Sequence, residues 1–276
     1  GIQATGSYVT IMNMRVYENA LAGIHLYTSQ HSLIENDTCA RNGTKEVFLE
    51  DQVPPDPYHR IGATDCSLFN NILWSSGAGK VALHVDEESG VDFSSDYNDL
   101  YATAGAAVGY WSNATQASFS AWTAASRQDG NGLSADPLFA PGTEDFHLLS
   151  SGGRWNGANW TADTQTSPGV DRGSPFSGYA LESAPNGGRT NLGAYGNTVQ
   201  ASRSPSLSGR NFYVNDSDTA WDYYCSTGGL PWPDHDGTSP ASPLNSVRAV
   251  FNNHTMLPGD TVYVDTGLYQ PTSPIS

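Results

Sequence analysis

Apolar residues recur along the first hundred positions of the chain with a fixed spacing. Four apolar positions and two Asn positions shift together by 23 residues: Ile11, Asn13, Val16, Asn19, Ile24 and Leu26 correspond to Ile34, Asn36, Cys39, Asn42, Val47 and Leu49. A repeat of this length with short apolar segments is typical of one turn of a parallel β-solenoid, in which each turn buries its apolar side chains against the next. The pattern therefore predicts an all-β solenoid.

A third copy follows after an insertion. It lies 34 residues after the second copy and consists of Leu68, Asn70, Leu73, Ser76, Val81 and Leu83. The insertion contains the Pro-rich segment 53–57, which predicts a loop between two turns. A leucine-rich repeat has a similar length, but it requires the spacing LxxLxLxxN, which these copies do not have. The pattern thus favours the solenoid.

One Asn occupies the same position in each copy. Asn tolerates the left-handed backbone conformation of a tight turn, and its side chain bonds locally to the backbone. Stacked Asn side chains can also bond to one another in a ladder. We therefore predict that Asn13, Asn36 and Asn70 are structural and form an amide ladder along one corner of the solenoid.

The repeat divides the chain into four regions. Solenoid turns are predicted for residues 1–103, and the Gly-rich, Ser-rich residues 104–201 are predicted to be irregular. Residues 202–210 have the Ser, Pro and Arg content of a linker. Residues 211–276 follow as a separate region.

A short helix is predicted inside the last region, near 243–252. Ser242 is a candidate N-cap, and Pro243 suits the first helical position. Leu244, Val247 and Val250 then fall on one face of the helix. A strand is predicted to follow at 261–264.

Composition and charge exclude several classes of partner. The 276 residues include 29 Gly and 16 Pro, and 28 acidic against 12 basic side chains give a net charge of −16. We expect no nucleic-acid partner, because a basic surface is missing. We also expect no membrane insertion, because no apolar stretch reaches the roughly 18 residues that span a bilayer. Three Cys are too few for a disulfide scaffold, and the abundance of Asn, Ser, Thr and Gly suggests an extracellular or cell-surface protein.

Two segments carry a family resemblance. Residues 258–269, Pro-Gly-Asp-Thr-Val-Tyr-Val-Asp-Thr-Gly-Leu-Tyr, resemble the opening rung of right-handed parallel β-helix proteins of the pectate-lyase-like superfold. In that family a short helix, here near 243–252, caps the N-terminal end. Residues 153–198, which end in Asn-Leu-Gly-Ala-Tyr-Gly-Asn-Thr, resemble the C-terminal closing region of secreted bacterial members. The resemblance implies a right-handed parallel β-helix, closed by 104–201, and a second β-helix that starts with its cap and first rung in 211–276.

The order of these regions is inverted relative to an ordinary β-helix domain. Two explanations fit: the chain is a slice of a tandem array, or it is a subunit whose ends complete each other. In both cases the unpaired strand edges at Gly1 and after Tyr269 favour head-to-tail strand addition. The partner predicted in this way is a second copy of the chain.

The resemblance also implies possible catalysis, because the best-known enzymes of this superfold are polysaccharide lyases. These enzymes use a Lys or Arg base, with acidic calcium ligands or a second cationic group. The candidates are Arg41 and Lys45 beside Asp37, with His25 or His31 on the neighbouring rung. The sequence does not place them on one face, so we predict no catalytic residue.

Calcium and glycans are two further candidate ligands. The sequence resembles calcium-binding loops at four acidic positions, Asp216, Asp218, Asp234 and Asp236, but the loop pattern is incomplete. The alternative is that these residues form Asx turns. Calcium is the only cofactor that we consider. Asn-x-Ser/Thr sequons occur at Asn36 and at five further positions that we take as glycosylation candidates, Asn42, Asn113, Asn159, Asn215 and Asn253.

These observations lead to two functional hypotheses. The preferred one is a non-catalytic structural module of an extracellular fibre or giant surface protein, assembled head-to-tail through open β-helix edges. The alternative is a lyase-like enzyme or a binding module that acts on polysaccharide. The alternative rests on resemblance of fold, which does not by itself establish function.

Overall fold

A computed structural model describes residues 1–52, 61–142, 144–205, 209–254, 256 and 259–269. The Pro-rich segment 53–57 therefore lies outside the described residues. The chain divides into two compact units, unit 1 (Gly1–Pro205) and unit 2 (Ser206–Ser276).

Unit 1 is built mainly from parallel β-sheets. Its strands are β1 (Ile2–Ala4), β2 (Thr10–Met12), β3 (Arg15–Tyr17), β4 (Ala22–Tyr27), β5 (Leu33–Glu35), β6 (Thr38–Ala40), β7 (Lys45–Glu50), β8 (Ser67–Phe69), β9 (Ile72–Ser76), β10 (Val81–Val85), β11 (Ser94–Asp96), β12 (Asp99–Thr103), β13 (Ala107–Trp111), β14 (Ala114–Gln116), β15 (Arg154–Trp155) and β16 (Trp160–Thr161). The first sheet has the order β1-β4-β7-β10-β13-β14, the second β11-β8-β5-β2 and the third β12-β9-β6-β3. Three consecutive strands thus contribute one strand to each sheet.

Strand register agrees with the 23-residue repeat between the first two copies. Ile11 lies opposite Ile34, Val16 opposite Cys39, and Ile24 opposite Val47. The apolar side chains of these strands form one buried core, including Ile24, Leu26, Ile34, Val47, Leu49, Leu68, Leu73, Leu83 and Leu100, each with no exposed surface. Burial of one such side chain contributes about 1.5–3 kcal/mol.

The third copy corrects one predicted correspondence. In the second and third sheets the 34-residue shift holds, with Ile34 opposite Leu68 and Cys39 opposite Leu73. In the first sheet the shift is two residues longer, so that Val47 lies opposite Leu83 instead of Val81. Side chains alternate with a period of two, so a slip of two residues keeps every apolar side chain on the inner face. The apolar pattern therefore could not reveal the slip.

The predicted Asn positions adopt the expected turn but form different bonds. Asn13, Asn36 and Asn70 have positive φ angles of 55°, 54° and 61°. Their side chains do not bond to one another. Asn13 Nδ2 donates to the carbonyls of Ala194 and Gly196 at 3.1 and 2.8 Å, and Asn36 Nδ2 to that of Asn191 at 3.0 Å. Asn70 Nδ2 donates to Ser177 Oγ at 2.8 Å. These three side chains thus hold the segment 177–196 against the corner of the sheets.

The side-chain ladder lies one residue further along the chain. Asp37 Oδ1 accepts from the Met14 N–H, Asn71 Oδ1 from the Asp37 N–H at 2.8 Å, and Asn98 Oδ1 from the Asn71 N–H at 2.9 Å. Asn98 Nδ2 continues the ladder to Asp129 Oδ1 at 2.8 Å. All four ladder side chains are buried.

Part of the region predicted to be irregular, residues 104–201, has regular secondary structure. Strand β13 extends the first sheet beyond residue 103, and β14 turns back antiparallel to it. Helix α1 (Phe119–Ser126) starts at Ser118, whose Oγ accepts from the Ala121 N–H at 3.2 Å. Trp122 of α1 is fully buried, and Gly109 leaves room for its ring, since a Cβ there would clash with it.

Unit 2 contains a parallel pair, β17 (Asn211–Val214) with β18 (Thr261–Val264), and helix α2 (Val247–Asn253). The helix starts later than predicted, because its N-cap is Ser246 and not Ser242. Leu244 instead forms bridges to Val214 and Leu230 in an extended conformation. Phe212, Val214, Leu244 and Val250 form the core of this unit. Among the described residues, neither α-helix has the length and apolar content that a membrane span requires.

Candidate functional site

The outward side of the first sheet carries a column of rings. Within β4, β7, β10 and β13 the apolar side chains point inward, and this alternation places His25, Phe48, His84 and Tyr110 outward in register. His25 stacks on Phe48 with centroids 4.9 Å apart, and His84 stacks on Tyr110 at 4.1 Å. Phe48 and His84 meet edge to face at 4.7 Å.

Two carboxylates bond to the His rings of this column. His25 Nε2 lies 2.6 Å from Glu50 Oε2, and His84 Nε2 lies 2.9 Å from Asp86 Oδ1. Burial would raise the pKa of Asp86, but the hydrogen bonds from His84 and from the Asp51 N–H outweigh it and lower the pKa. Asp86 is therefore ionised at neutral pH and can accept hydrogen bonds.

Lys45 completes this group of side chains. Its Nζ lies 3.4 Å from the centroid of the Phe48 ring, a cation–π contact. Burial lowers the pKa of Lys45, while the carboxylates of Asp86 and Glu50 oppose that shift. We call His25, Lys45, Phe48, Glu50, His84, Asp86 and Tyr110 the outer face.

The outer face offers donors and acceptors on adjacent strands. Neighbouring strands in a sheet are about 4.8 Å apart, so the polar groups form a row across the strands. Such a row can bond to several hydroxyl groups of an extended polymer. Two carboxylates against one ammonium make the face unfavourable for a polyanion.

Only part of the predicted catalytic set comes together here. Lys45 and His25 share the outer face, whereas Asp37 is buried in the interior ladder. Arg41 lies over the Trp74 ring on the third sheet at 5.1 Å, and His31 pairs with Asp65 at 2.5 Å. The sequence did not single out His84, because the 34-residue shift aligned Phe48 with Ala82 instead.

Two glycosylation candidates are corrected by burial. Asn42 and Asn215 have no exposed surface. Asn42 Nδ2 donates to Glu46 Oε2 at 2.5 Å, and Asn215 Nδ2 to Asp222 Oδ2 at 2.6 Å. A glycan cannot be accommodated on either amide in the folded units. The remaining candidates, Asn113, Asn159 and Asn253, are exposed.

The calcium candidates lie in local turns. Asp216 Oδ1 accepts from the Asp218 N–H at 2.8 Å, Asp218 Oδ1 from the Ala220 N–H at 2.9 Å, and Asp236 Oδ1 from the Thr238 N–H at 3.0 Å. These are Asx turns, the alternative named for these residues. Asp234 contributes only its backbone N–H, to the Pro231 carbonyl. Within the described ranges no three His, Cys, Asp or Glu side chains are grouped to hold a metal ion.

Comparison with known proteins gives one match. The model of a family described as "Disaggregatase related" matches residues 70–173, which is less than half of the chain. Neither the curated proteins nor the solved structures include a significant match. The matched segment runs from the corner before β9 past α1 and includes His84 and Asp86, so the similarity covers the later strands of unit 1 and part of the outer face.

Proposed function

We propose that unit 1 is a right-handed parallel β-helix of the pectate-lyase-like superfold and that it binds an extracellular polysaccharide on its outer face. Support for the fold comes from the strand order, in which three consecutive strands recur in three parallel sheets. Parallel crossover connections are right-handed in nearly all proteins. Unit 2 is proposed as the cap and first rung of a following β-helix.

The binding proposal rests on one observation, the two His–carboxylate pairs that flank Lys45 across β4, β7 and β10. Charged acceptors on a rigid sheet can bond to sugar hydroxyls without an entropic cost of ordering the site. The excess of carboxylates disfavours an acidic polymer, and the hydroxyl groups of a neutral polymer can donate to these acceptors.

The test is affinity electrophoresis in gels that contain soluble neutral, cationic or anionic polysaccharides. We expect a neutral polymer to retard the protein. His84→Ala should weaken binding by roughly tenfold, because it removes the ring that orients Asp86. His31→Ala is the matched control, since His31 forms a similar pair with Asp65 outside the outer face. Equal loss in both variants, or no retardation by any neutral polymer, would contradict the proposal.

A second candidate function is head-to-tail assembly into an extracellular fibre or surface array, with the chain as its own partner. In the described residues β1, β2 and β3 each pair on one side only, and β18 pairs only with β17. Met12 and Met14, beside the unpaired edges of β2 and β3, are 44% and 43% exposed. A parallel strand from a second copy could extend these sheets.

Assembly predicts association that increases with protein concentration in sedimentation experiments. Met12→Lys with Met14→Lys should abolish it, because charges at a strand edge oppose pairing. Val91→Lys is the control, since Val91 is exposed to a similar extent (49%) but lies away from these edges. A chain that stays monomeric at every concentration would rule out this function.

A further inference from the structure

A pocket of about 320 Å³ opens on the third sheet, whereas the outer face lies on the first sheet. It lies between β9 and residues 136–142 and 144–149, and its wall includes Arg41, Trp74, Asp136, Phe139, Asp145 and Phe146. None of these side chains belongs to the outer face. Its volume is at the small end of the range for ligand pockets, which suits a ligand of one or two rings.

A row of mostly large side chains crosses the third sheet beside the pocket. On the third sheet Tyr17, Ala40, Trp74 and Tyr101 lie in register on adjacent strands. Ala40 interrupts this row of aromatic side chains. Phe146 packs against Tyr17 at 5.2 Å between ring centroids, and Phe139 packs against Phe146 at 5.1 Å and against Trp74 at 6.2 Å, so Trp74, Phe139 and Phe146 form one aromatic wall of the pocket.

The guanidinium of Arg41 is held between these two rings. Its centre lies 5.1 Å from the Trp74 ring and 5.7 Å from the Phe146 ring, and its Nη2 donates to Glu18 Oε1 at 3.0 Å. An Arg fixed on three sides is a pre-organised donor. It can donate to a ligand oxygen without losing further side-chain freedom.

Two carboxylates face the same space and are also fixed. Asp136 Oδ1 accepts from the Leu138 N–H at 2.9 Å, and Asp145 Oδ1 accepts from the His147 N–H at 3.0 Å. In the part of the chain that the structure describes, Asp136 Oδ2 has no hydrogen bond from the protein. It is therefore an acceptor for a ligand hydroxyl.

We propose that this pocket binds one neutral sugar residue. An aromatic ring offers its face to the C–H side of a pyranose, carboxylates accept from its hydroxyls, and a guanidinium donates to its oxygens. Arg41 is paired with Glu18, and Arg154 lies 3.9 Å from Asp145, so the carboxylates around the pocket (Asp136, Asp145 and Glu18) outnumber the two guanidinium groups and disfavour a uronic acid or a sulfated sugar. The pocket would bind a single sugar residue or a side branch of a polymer. Binding at this pocket does not require that a polymer binds the outer face.

The indole N–H signal of Trp74 in a ¹⁵N–¹H spectrum of the full chain reports binding at this pocket. Trp74→Phe identifies the signal. The probes are the methyl glycosides of glucose, galactose, mannose and N-acetylglucosamine, with methyl galacturonate as the acidic comparison. We expect at least one neutral glycoside to shift the Trp74 signal with millimolar affinity, and Asp136→Asn to weaken this binding about tenfold.

Two controls separate this site from other causes. Asp218→Asn should leave the affinity unchanged, because Asp218 forms the same type of Asx turn far along the chain in unit 2. His84→Ala should also leave it unchanged, whatever its effect on polysaccharide binding. The proposal is overturned if no neutral glycoside shifts the Trp74 signal, if only the galacturonate does, or if Asp136→Asn and Asp218→Asn behave alike.

Discussion

Three buried Asp residues, two in unit 1 and one in unit 2, show opposite pKa shifts in the two units. In unit 1 burial raises the pKa of Asp37 to about 7, although the Met14 N–H opposes the shift, and burial likewise raises the pKa of Asp99 to about 7. In unit 2 burial would raise the pKa of Asp265, but backbone N–H groups of Tyr223, Cys225, Tyr224 and Thr266 outweigh it and bring the pKa to about 2.

The supply of unpaired N–H groups explains this difference. In unit 1 the stacked strands already pair most backbone groups, so Asp37 Oδ2 and Asp99 Oδ2 are buried without a partner. In unit 2 a loop turns three successive N–H groups towards Asp265 at 2.6, 2.7 and 2.6 Å. A buried Asp carboxyl therefore has an unpartnered oxygen in the sheets of unit 1, whereas in unit 2 it accepts three N–H groups and stabilises the loop.

The largest effect is expected from the interior ladder of unit 1. Asn71→Ala should lower the free energy of unfolding by roughly 4 kcal/mol, because it leaves the Asp37 N–H and the Ile34 carbonyl buried without partners. Urea unfolding measures the loss, and hydrogen exchange resolves which unit carries it. Asn131→Ala, an exposed Asn that bonds to Asp96, should cost under about 1 kcal/mol. Similar losses in both variants would show that the ladder does not stabilise unit 1.

That ladder also shows where the sequence stops being informative. The apolar columns could be predicted because Ile11, Ile34 and Leu68 are chemically alike in every copy. The ladder position is occupied by Met14, Asp37 and Asn71, whose types differ, so no repeat marks it. Its role follows from stacking geometry, which depends on which strands become neighbours.

For a related reason, the sequence predicts only part of the candidate site. Lys45 and His25 were identified as chemistry-bearing residues, but their neighbour His84 depends on the two-residue slip of the first sheet. The sequence groups Asp37 and Arg41 with Lys45 only because the three residues are close along the chain. A corner of the chain separates them from β7, so they face the interior and the third sheet instead.

A smaller effect, with opposite signs in the two units, is expected from pH. The folded state of unit 1 keeps protons on Asp37 and Asp99 at pH values where the unfolded chain has lost them. Unit 1 should therefore gain stability, and its melting temperature should rise, as the pH falls from about 7 to about 4. Unit 2 should show no such gain from Asp265 and should lose stability as the pH falls from about 4 to about 2.

Hydrogen exchange across this pH range, corrected for the intrinsic exchange rate, separates the two units. Asp265→Asn is the matched variant, because it removes the charge that accepts the three N–H groups but keeps the size of the side chain. It should lower the stability of unit 2 at neutral pH and flatten its acid response, while unit 1 is unchanged. If the two units respond to acid with the same sign, the contrast between their carboxyl groups is wrong.

The smallest effect is expected at the two helix caps, which make the same bond in different surroundings. Ser118 Oγ accepts from the Ala121 N–H and Ser246 Oγ from the Ala249 N–H, both at 3.2 Å, so Ala at either position should cost about 1 kcal/mol. Helix α1 is also held by the fully buried Trp122, whereas the buried side chain of α2 is the smaller Val250. Ser246→Ala should therefore increase exchange within α2 more than Ser118→Ala does within α1.

Ser242→Ala should leave exchange within α2 almost unchanged, since Ser242 Oγ accepts from the Asp236 N–H and does not cap the helix. A larger effect from Ser242→Ala than from Ser246→Ala would contradict this start of the helix. It would mean that α2 begins at Ser242, as the sequence predicts, and that Leu244 is helical instead of bridging Val214.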